Sequence, residues 1–251
     1  LFFVFFLAVF GGLSGPGIYS AQYFGQGNKE GYQKIFRLKV WITALLTVVG
    51  VIVFLVGGEW LIGLYLKGSG GNLDAGLTLE SALSYLRIML IGLVPFAITQ
   101  IYAGSLREMG ESMKPMLAGL VSVVVDIVFN YFLIYGKFGF PRLEVKGAAI
   151  ATVMARFAEM FVVIIWTHVE IEKYSFLKNV YRTLRISLQE MMPVIIKGLP
   201  IFFNEFLWAG GMAVLTQCYS MKGLEVIAGL NISNAICNLL NVVFIAMGNA
   251  V

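Results

Sequence analysis

The sequence predicts an all-α fold, a polytopic bundle of transmembrane helices, on three observations. Apolar residues make up 59% of the 251 residues and charged residues only 13%, whereas an average soluble domain has about 25% charged residues. The apolar residues are gathered into runs long enough to cross a bilayer as helices. The Lys and Arg residues between those runs are distributed unequally over alternate loops. A soluble fold of this length would need more polar residues to cover its surface.

Seven apolar runs predict membrane crossings, because a helix needs about 20 predominantly apolar residues to cross the hydrocarbon core. The runs lie at 1–21, 36–57, 79–105, 115–135, 147–167, 191–219 and 223–248. They are too long and too uniformly apolar for transmembrane strands, which would alternate over about ten residues. Leu1 and Val251 both lie in apolar sequence. We therefore expect a fragment of a longer chain, with its first span only partly present.

The basic residues predict the orientation of these spans. The loops at 22–40, 105–115 and 168–197 together hold 11 Lys and Arg residues, whereas the loops on the opposite side hold 6. Loops rich in Lys and Arg stay on the cytoplasmic side of a membrane. We therefore expect 22–40, 105–115 and 168–190 to be cytoplasmic loops of a multi-pass protein of the plasma (cell inner) membrane.

The longest polar segment, 168–190, separates two groups of spans. Its larger apolar residues recur at intervals of three and four, as on one face of a helix: Tyr174, Leu177, Tyr181, Leu184 and Leu188. We therefore predict a cytoplasmic surface helix that links an N-terminal lobe, 1–167, to the start of a C-terminal lobe, 191–251. The alternative is a helical loop with no role beyond connection.

Asp126 and Asn130 are the first candidates for function inside a predicted span. A charge at the centre of a membrane helix costs at least about 2.5 kcal/mol, so such residues usually face a bundle interior or a cavity. These two lie four residues apart, on one face of the span at 115–135. Their oxygens are hard donors that suit Na⁺, and the carboxylate also suits a proton. A structural hydrogen bond between helices is the alternative.

Glu205 is the second candidate, near the middle of the span at 191–219 and with no basic residue close to it in sequence. A desolvated carboxyl group can bind and release a proton near neutral pH. Pro193 and Pro200 precede it, and a proline kink would free backbone carbonyls on the cavity side. The alternative is a neutral Glu that is hydrogen-bonded to a neighbouring helix.

Two further groups of polar residues lie in the predicted spans. Arg156 and Glu159 are three residues apart on one helix, close enough to form a structural ion pair. Asn204 and four asparagines of the last span, at intervals of three, four and three, are candidates for lining a substrate cavity: Asn231, Asn234, Asn238 and Asn241. Hydrogen bonds between helices, worth about 1 kcal/mol each, are the alternative for the asparagines.

Other function classes find no support in the sequence. It contains no P-loop, no nucleophile elbow and no His or Cys spacing typical of a metal site, so we expect neither an enzyme nor a resident cofactor or metal. The basic residues are spread over loops rather than gathered on one face, which argues against nucleic-acid binding. Cys218 and Cys237 lie in apolar segments and predict no disulfide.

Several motifs resemble the multidrug and toxic compound extrusion (MATE) family. The segment 130–152, NYFLIYGKFGFPRLEVKGAAIAT, is similar to the family's connection between spans five and six and is the most specific match. SAQYFGQGN at 20–28 resembles the cytoplasmic end of span two, and LREMGESMKPM at 106–116 resembles the turn between spans four and five. Pro200 with Glu205 resembles the start of span seven.

The resemblance implies a full-length protein of two pseudo-symmetric six-helix lobes, of which this chain would cover spans two to eight. It also implies a monomeric secondary antiporter that exports small cationic organic compounds in exchange for H⁺ or Na⁺. Glu205 matches the family's carboxylate in span seven. In span five many members of the family have Asn followed four residues later by Asp, whereas this chain has Asp126 and then Asn130. A flippase for lipid-linked saccharides is the alternative. Such a protein would be expected to have a more cationic central cavity that binds pyrophosphate, whereas Arg156 is the one cation deep in a predicted span.

Overall fold

The protein is a bundle of α-helices. The computed structural model describes residues 2–66, 75–178, 180–183, 185–222, 226, 229–230, 232–238 and 240. Its helices are α1 (Phe2–Gly25), α2 (Lys29–Leu66), α3 (Ala75–Ile91), α4 (Leu93–Glu108), α5 (Met113–Tyr135), α6 (Glu144–Val169) and α7 (Leu188–Ser220), with a short 3-10 helix at Val180–Arg182. No β-strand occurs in the described ranges, which confirms the predicted all-α fold.

Most of these helices have the length and apolarity of membrane spans. Each of α1, α2, α5, α6 and α7 is long and apolar enough to cross a bilayer alone, and α3 and α4 together have the length and apolarity of a further span. These helices correspond to the first six predicted spans. The seventh, predicted at 223–248, lies largely outside the described residues.

The predicted span at 79–105 is bent rather than continuous. Helix α3 ends at Ile91 and α4 begins at Leu93, with an angle of 42° between them. Gly92 separates the two helices, and its carbonyl accepts a hydrogen bond from the Phe96 N–H at 3.3 Å. Pro95 lacks the N–H that would bond to a carbonyl one turn earlier. The combination of Gly92 and Pro95 accounts for the bend.

Helix α2 begins earlier than the apolar run that predicts it. The turn between α1 and α2 is tight, with Gly27 at φ +69°, a conformation that glycine adopts without steric cost. Asn28 follows, and its side-chain oxygen accepts a hydrogen bond from the Gly31 N–H at 2.9 Å. This bond satisfies a free donor at the start of the helix. As a result, most of the predicted loop at 22–40 is helical.

The segment 168–190 is not the continuous surface helix that its sequence predicts. Helix α6 runs to Val169, turns follow through 170–178, and α7 begins at Leu188. Most hydrogen bonds across these turns join residues three apart, such as the Leu177 N–H to the Tyr174 carbonyl at 2.8 Å. Leu184 and the side chain of Leu188 lie outside the described residues.

Burial explains why this segment adopts turns. Tyr174, Leu177 and Val180 are buried against the hydrophobic core. A spacing of three keeps successive side chains on one face of a 3-10 turn, whereas an α-helix of 3.6 residues per turn would rotate them away from the core. The linker is therefore packed against the bundle rather than lying freely on its surface.

The three predicted cytoplasmic loops meet at one end of the bundle. The Arg37 side chain donates a hydrogen bond to the Val180 carbonyl at 2.9 Å, which joins the start of α2 to the linker. Lys173 pairs with Glu111 at 2.8 Å, which joins the linker to the turn between α4 and α5. Their common position agrees with the distribution of basic residues.

Candidate functional site

Asp126 and Asn130 present two buried oxygen atoms on one face of α5. Asp126 Oδ1 and Asn130 Oδ1 are each almost completely buried, and neither has a hydrogen-bond partner among the described residues. A buried acceptor without a partner costs about 1–3 kcal/mol. The sequence predicted that these residues share a face, and the structure adds that their oxygens are free to accept a proton or a cation.

The face that carries this pair is held by close packing between α5 and α6. The Ser122 hydroxyl, one turn before Asp126, donates a hydrogen bond to the Ala155 carbonyl at 3.1 Å. Near the other end of the helix, a Cβ on Gly147 would lie 2.7 Å from the Leu133 carbonyl oxygen. Small residues of this kind allow membrane helices to approach closely. The helix that carries Asp126 and Asn130 is therefore packed closely against α6.

Arg156 does not form the predicted ion pair with Glu159. No salt bridge joins these two residues within the part of the chain that the structure describes. The Arg156 guanidinium instead donates a hydrogen bond to the Gly92 carbonyl at 3.4 Å. It also lies over the rings of Phe6 and Phe96, 4.6 and 5.2 Å from their centroids.

The contacts of Arg156 have a physical reason. The bend at Gly92 leaves a carbonyl that Arg156 can reach, and two aromatic faces offer cation–π contact to a guanidinium. A Glu three residues away on the same helix offers neither contact. Arg156 nevertheless interacts electrostatically with both Glu159 and Asp126, so it contributes positive charge near the α5 pair.

Glu205 lies where α7 crosses α1. Its side chain is half-buried and packs against Gly11, on which a Cβ would lie 3.0 Å from the Glu205 Cβ. Both Pro193 and Pro200 are accommodated inside the single helix Leu188–Ser220. Glu205 therefore lies at the contact between the predicted N-terminal lobe and the first helix of the C-terminal lobe.

The structure does not bring the two candidate carboxylates together. Among the described helices, α5 packs on α4 and α6 whereas α7 packs on α1 and α2, and α5 and α7 do not touch. Asp126 and Glu205 thus belong to separate helix pairs.

The asparagines predicted to line a cavity are exposed wherever the structure describes them. Asn204 is exposed on α7, and Asn234 and Asn238 are also exposed. Asn231 and Asn241 lie outside the described residues. A substrate cavity lined by these residues stays a prediction.

A buried ion pair that the sequence did not predict joins α2 to α4. Lys39, with its side chain 2% exposed, pairs with Glu108. Lys39 Nζ also donates to the Ser105 hydroxyl at 3.5 Å, and the Tyr32 hydroxyl donates to the Ser105 carbonyl at 3.0 Å. A buried pair of this kind requires both partners, because either charge alone would be left uncompensated.

A sequence signal for Lys39 did exist. Tyr32, Phe36, Lys39 and Thr43 follow one another at intervals of four, three and four, and all four are fully buried. This spacing is that of one helix face. Assigning 22–40 to a loop concealed it, because the face is visible only once α2 begins at Lys29.

Ion pairs also fix the linker at the loop end of the bundle. Lys173 donates to the Glu111 carboxylate, and this hydrogen bond lowers the pKa of Glu111 below its ordinary value. The same bond raises the pKa of Lys173. The Tyr174 hydroxyl donates to Glu111 as well, at 3.1 Å. Lys114 on α5 pairs with Glu170 and lies 4.9 Å from the centre of the Tyr174 ring.

Comparison with known proteins decides the family. The family model described as MatE matches residues 1–132, which is more than half of the chain. The chain belongs to the MatE family. Together with its apolar helices, this membership makes it a multi-pass membrane protein.

Named relatives of this MatE chain are multidrug resistance proteins. The probable multidrug resistance protein NorM of Thermotoga maritima is 30% identical over 60% of this chain and 32% of its own length. The probable multidrug resistance protein YoeA of Bacillus subtilis is 25% identical over 100% of this chain and 53% of its own length. The multidrug resistance protein MdtK of Klebsiella pneumoniae is 26% identical over 92% of this chain and 49% of its own length.

A solved structure shares the fold of this MatE chain. It is the inward-facing conformation of a multidrug resistance MATE family transporter of the MOP superfamily. The two structures superpose with a TM-score of 0.73 at 22% identity, over 96% of this chain and 52% of the other. The chain spans about half the length, or less, of the relatives that it matches.

Proposed function

We propose that the full-length protein is a secondary antiporter that exports cationic, amphipathic organic compounds in exchange for H⁺ or Na⁺. The observation that carries the proposal is the pair of buried oxygens without partners, Asp126 Oδ1 and Asn130 Oδ1, on a membrane helix. Family membership and relatives that are named as multidrug resistance proteins support the same activity. They also support a transporter rather than an enzyme.

Competition for negative charge couples the two fluxes in this proposal. An organic cation is attracted to an ionised carboxylate, and a proton or Na⁺ that binds the same group removes that attraction. Asp126 with Asn130 supplies one such group, and Glu205 supplies a second on a different helix pair. Because hard oxygens suit both H⁺ and Na⁺, the pair is compatible with either coupling ion. No resident cofactor is required.

The position of Glu205 supports alternating access. Rocking of one lobe against the other around a binding site is the general mechanism of such transporters. Glu205 lies at the contact of α7 with Gly11 of α1, between the two predicted lobes. Binding or release of a cation at Glu205 would therefore change the contact that must open and close.

The remaining parts of the proposal concern location and partners. We place the protein in the plasma (cell inner) membrane as a monomer, with the loops 22–40, 105–115 and 168–190 in the cytoplasm. The proximity of these loops to one another and their Lys and Arg content support this orientation. Small organic cations and the lipid bilayer are its partners.

A flippase for lipid-linked saccharides is less well supported. Such a protein would need free positive charge in its interior to bind a pyrophosphate group. Arg156 lies deep in α6, but its guanidinium is engaged by the Gly92 carbonyl and by the rings of Phe6 and Phe96.

Transport in everted vesicles tests the proposal. Vesicles that contain the full-length protein are expected to accumulate ethidium when a ΔpH or a Na⁺ gradient is imposed, and Glu205→Gln is expected to abolish the response. Glu59→Gln, which removes an exposed carboxylate from α2, is the matched control and should leave uptake unchanged. Ethidium uptake that ignores both gradients would refute antiport, and normal uptake by Glu205→Gln would remove Glu205 from the coupling mechanism.

A further inference from the structure

A long apolar groove runs between α2 and α7, with α1 as its floor. Both helices pack against α1 and have little direct contact with each other. Three cavities of about 630, 200 and 510 Å³ lie along the groove. The first two share Ile42, Leu45 and Ile195, and the second and third share Leu46 and Phe202. The shared residues make the three cavities one continuous feature.

The groove is as long as a membrane is thick. On α7 it extends from Ile195 to Gln217, a rise of about 33 Å along a helix. The hydrocarbon core of a bilayer is about 30 Å thick. The residues that line the groove are otherwise apolar or aromatic, with Arg185 at one end and Gln217 at the other. Its shape suits an extended apolar chain that lies parallel to the helices.

The charge of the groove is confined to one end. Arg185 is the charged residue among its described lining, and it belongs to the linker end of the bundle. The Arg185 side chain is exposed, and Trp41 beside it is 56% exposed. Trp is common at the level of lipid headgroups, and a guanidinium matches the geometry of a phosphate group.

We propose that this groove binds an anionic phospholipid from the membrane leaflet on the linker side. Its phosphate contacts Arg185, and an acyl chain lies between α2 and α7 along Leu45 and Ile195. Juxtamembrane Lys and Arg residues attract anionic lipids. The same positive charge disfavours an organic cation as the occupant, which separates this site from the proposed export pathway.

The position of the groove gives the lipid a structural role. Helix α2 belongs to the predicted N-terminal lobe and α7 to the C-terminal lobe, and both line the groove. A bound acyl chain therefore contacts both lobes and stabilises their arrangement in this structure. The inference requires membrane insertion but not cation export, so lipid binding can be measured independently of transport.

Native mass spectrometry of the full-length protein tests the proposal, with phosphatidylglycerol and phosphatidylcholine of identical acyl chains as probes. We expect phosphatidylglycerol to bind several-fold more tightly. Arg185→Gln should weaken its binding about fivefold, since one basic residue near the surface contributes about 1 kcal/mol, and Arg185→Lys should keep most of the affinity. The matched control is Lys197→Gln, an exposed cation on α7 outside the groove, which should change nothing.

A second variant tests the apolar part of the site. Ile195→Trp narrows the groove and should weaken the binding of both lipids alike. Equal binding of the two lipids by the wild type would overturn the proposal, and so would unchanged phosphatidylglycerol binding by Arg185→Gln. Displacement of phosphatidylglycerol by ethidium would also overturn it, because the groove would then belong to the exported compounds.

Discussion

Gly11 on α1 lies directly against Glu205 on α7. A Cβ on Gly11 would be 3.0 Å from the Glu205 Cβ, closer than side chains normally pack. One turn along α1, the approach is closer still, since a Cβ on Gly15 would lie 2.5 Å from the Gly198 Cα. Glycines spaced four apart allow two membrane helices to cross with their backbones nearly touching. This crossing holds the candidate carboxylate at the contact between the lobes.

Gly15→Ala is expected to separate α1 from α7. The added methyl group would collide with backbone atoms of Gly198, which cannot move aside as a flexible side chain can. Overpacking of this kind typically costs about 1–3 kcal/mol. We expect a lower thermal unfolding temperature of the purified full-length protein and reduced ethidium efflux from cells.

Gly210→Ala is the control for this prediction. Gly210 is also on α7, but no heavy atom lies within 4 Å of where its Cβ would be. The unfolding temperature of the Gly210→Ala protein should equal that of the wild type or be slightly higher, because Ala favours the helix more than Gly does. Equal behaviour of the two variants would contradict the close crossing of α1 and α7.

The Asp126 and Asn130 pair offers a test by exchange. Asp126→Asn removes the negative charge, and we expect it to weaken cation affinity at least tenfold, since hydrogen bonds to charged groups contribute about 1.5–3 kcal/mol. The double variant Asp126→Asn with Asn130→Asp returns the charge to the same helix face and should recover part of the affinity. Isothermal titration of Na⁺, together with proton release on binding of an organic cation, measures both effects.

Glu59→Gln serves as the control for this exchange, because it removes an exposed carboxylate from a different helix, α2. If the double variant binds the cation no more tightly than Asp126→Asn does, the exact position of the carboxylate matters more than the helix face that it occupies. Wild-type cation affinity in Asp126→Asn would show that Asp126 and Asn130 do not form the cation site.

Sequence alone predicted most of the fold because apolarity determines which segments lie in the membrane. The limits of α5 and α6 follow from that property, and the spacing of Asp126 and Asn130 follows from helix geometry. The bend follows from Gly92 and Pro95, and the side chain of Arg156, from another helix, donates a hydrogen bond to the Gly92 carbonyl at the bend. Apolarity carries no information about such contacts.

The same limit applies to the candidate site. Glu205 was recognised as a charge in an apolar run, but its contact with Gly11 joins distant parts of the chain. Arg156 and Glu159 were paired because they are neighbours on one helix. The aromatic rings that contact Arg156 belong to α1 and α4, which are distant from it in sequence. Their contact with Arg156, in place of an ion pair with Glu159, is therefore visible only in the folded structure.

The buried pair of Lys39 and Glu108 predicts a large effect on stability. Lys39→Met leaves Glu108 as an uncompensated charge, and breaking a buried pair typically costs about 3–5 kcal/mol. Replacing both residues, as Lys39→Met with Glu108→Leu, removes both charges and should restore much of the lost stability. Thermal unfolding of the full-length protein in one detergent compares the three proteins.

Lys178→Met is the control, because the Lys178–Glu172 pair is exposed, with Glu172 at 80%. An exposed pair contributes about 1 kcal/mol or less, so the unfolding temperature should change little. If the double variant unfolds at as low a temperature as Lys39→Met, the lost packing of Lys39, rather than its charge, determines the stability.

The contact between Glu111 and the linker predicts a dependence of stability on pH. The hydrogen bond from Lys173 lowers the pKa of Glu111 below its ordinary value of 4.5. A group with a depressed pKa in the folded state stabilises the fold above the ordinary value, and this contribution is lost as the pH falls through the lower value. The unfolding temperature of Glu111→Gln should therefore lie below that of the wild type at neutral pH.

The difference between these two proteins should stay constant down to a pH of about 4.5 and close below it, as Glu111 of the wild type takes up a proton. Unfolding temperatures measured in one detergent over a pH series give both curves. Glu59→Gln is the control, because Glu59 is an exposed carboxylate on α2, outside the linker. A difference that persists at acidic pH would mean that Gln fails at this position for reasons of shape, and that the ion pair with Lys173 does not hold the linker to the turn between α4 and α5.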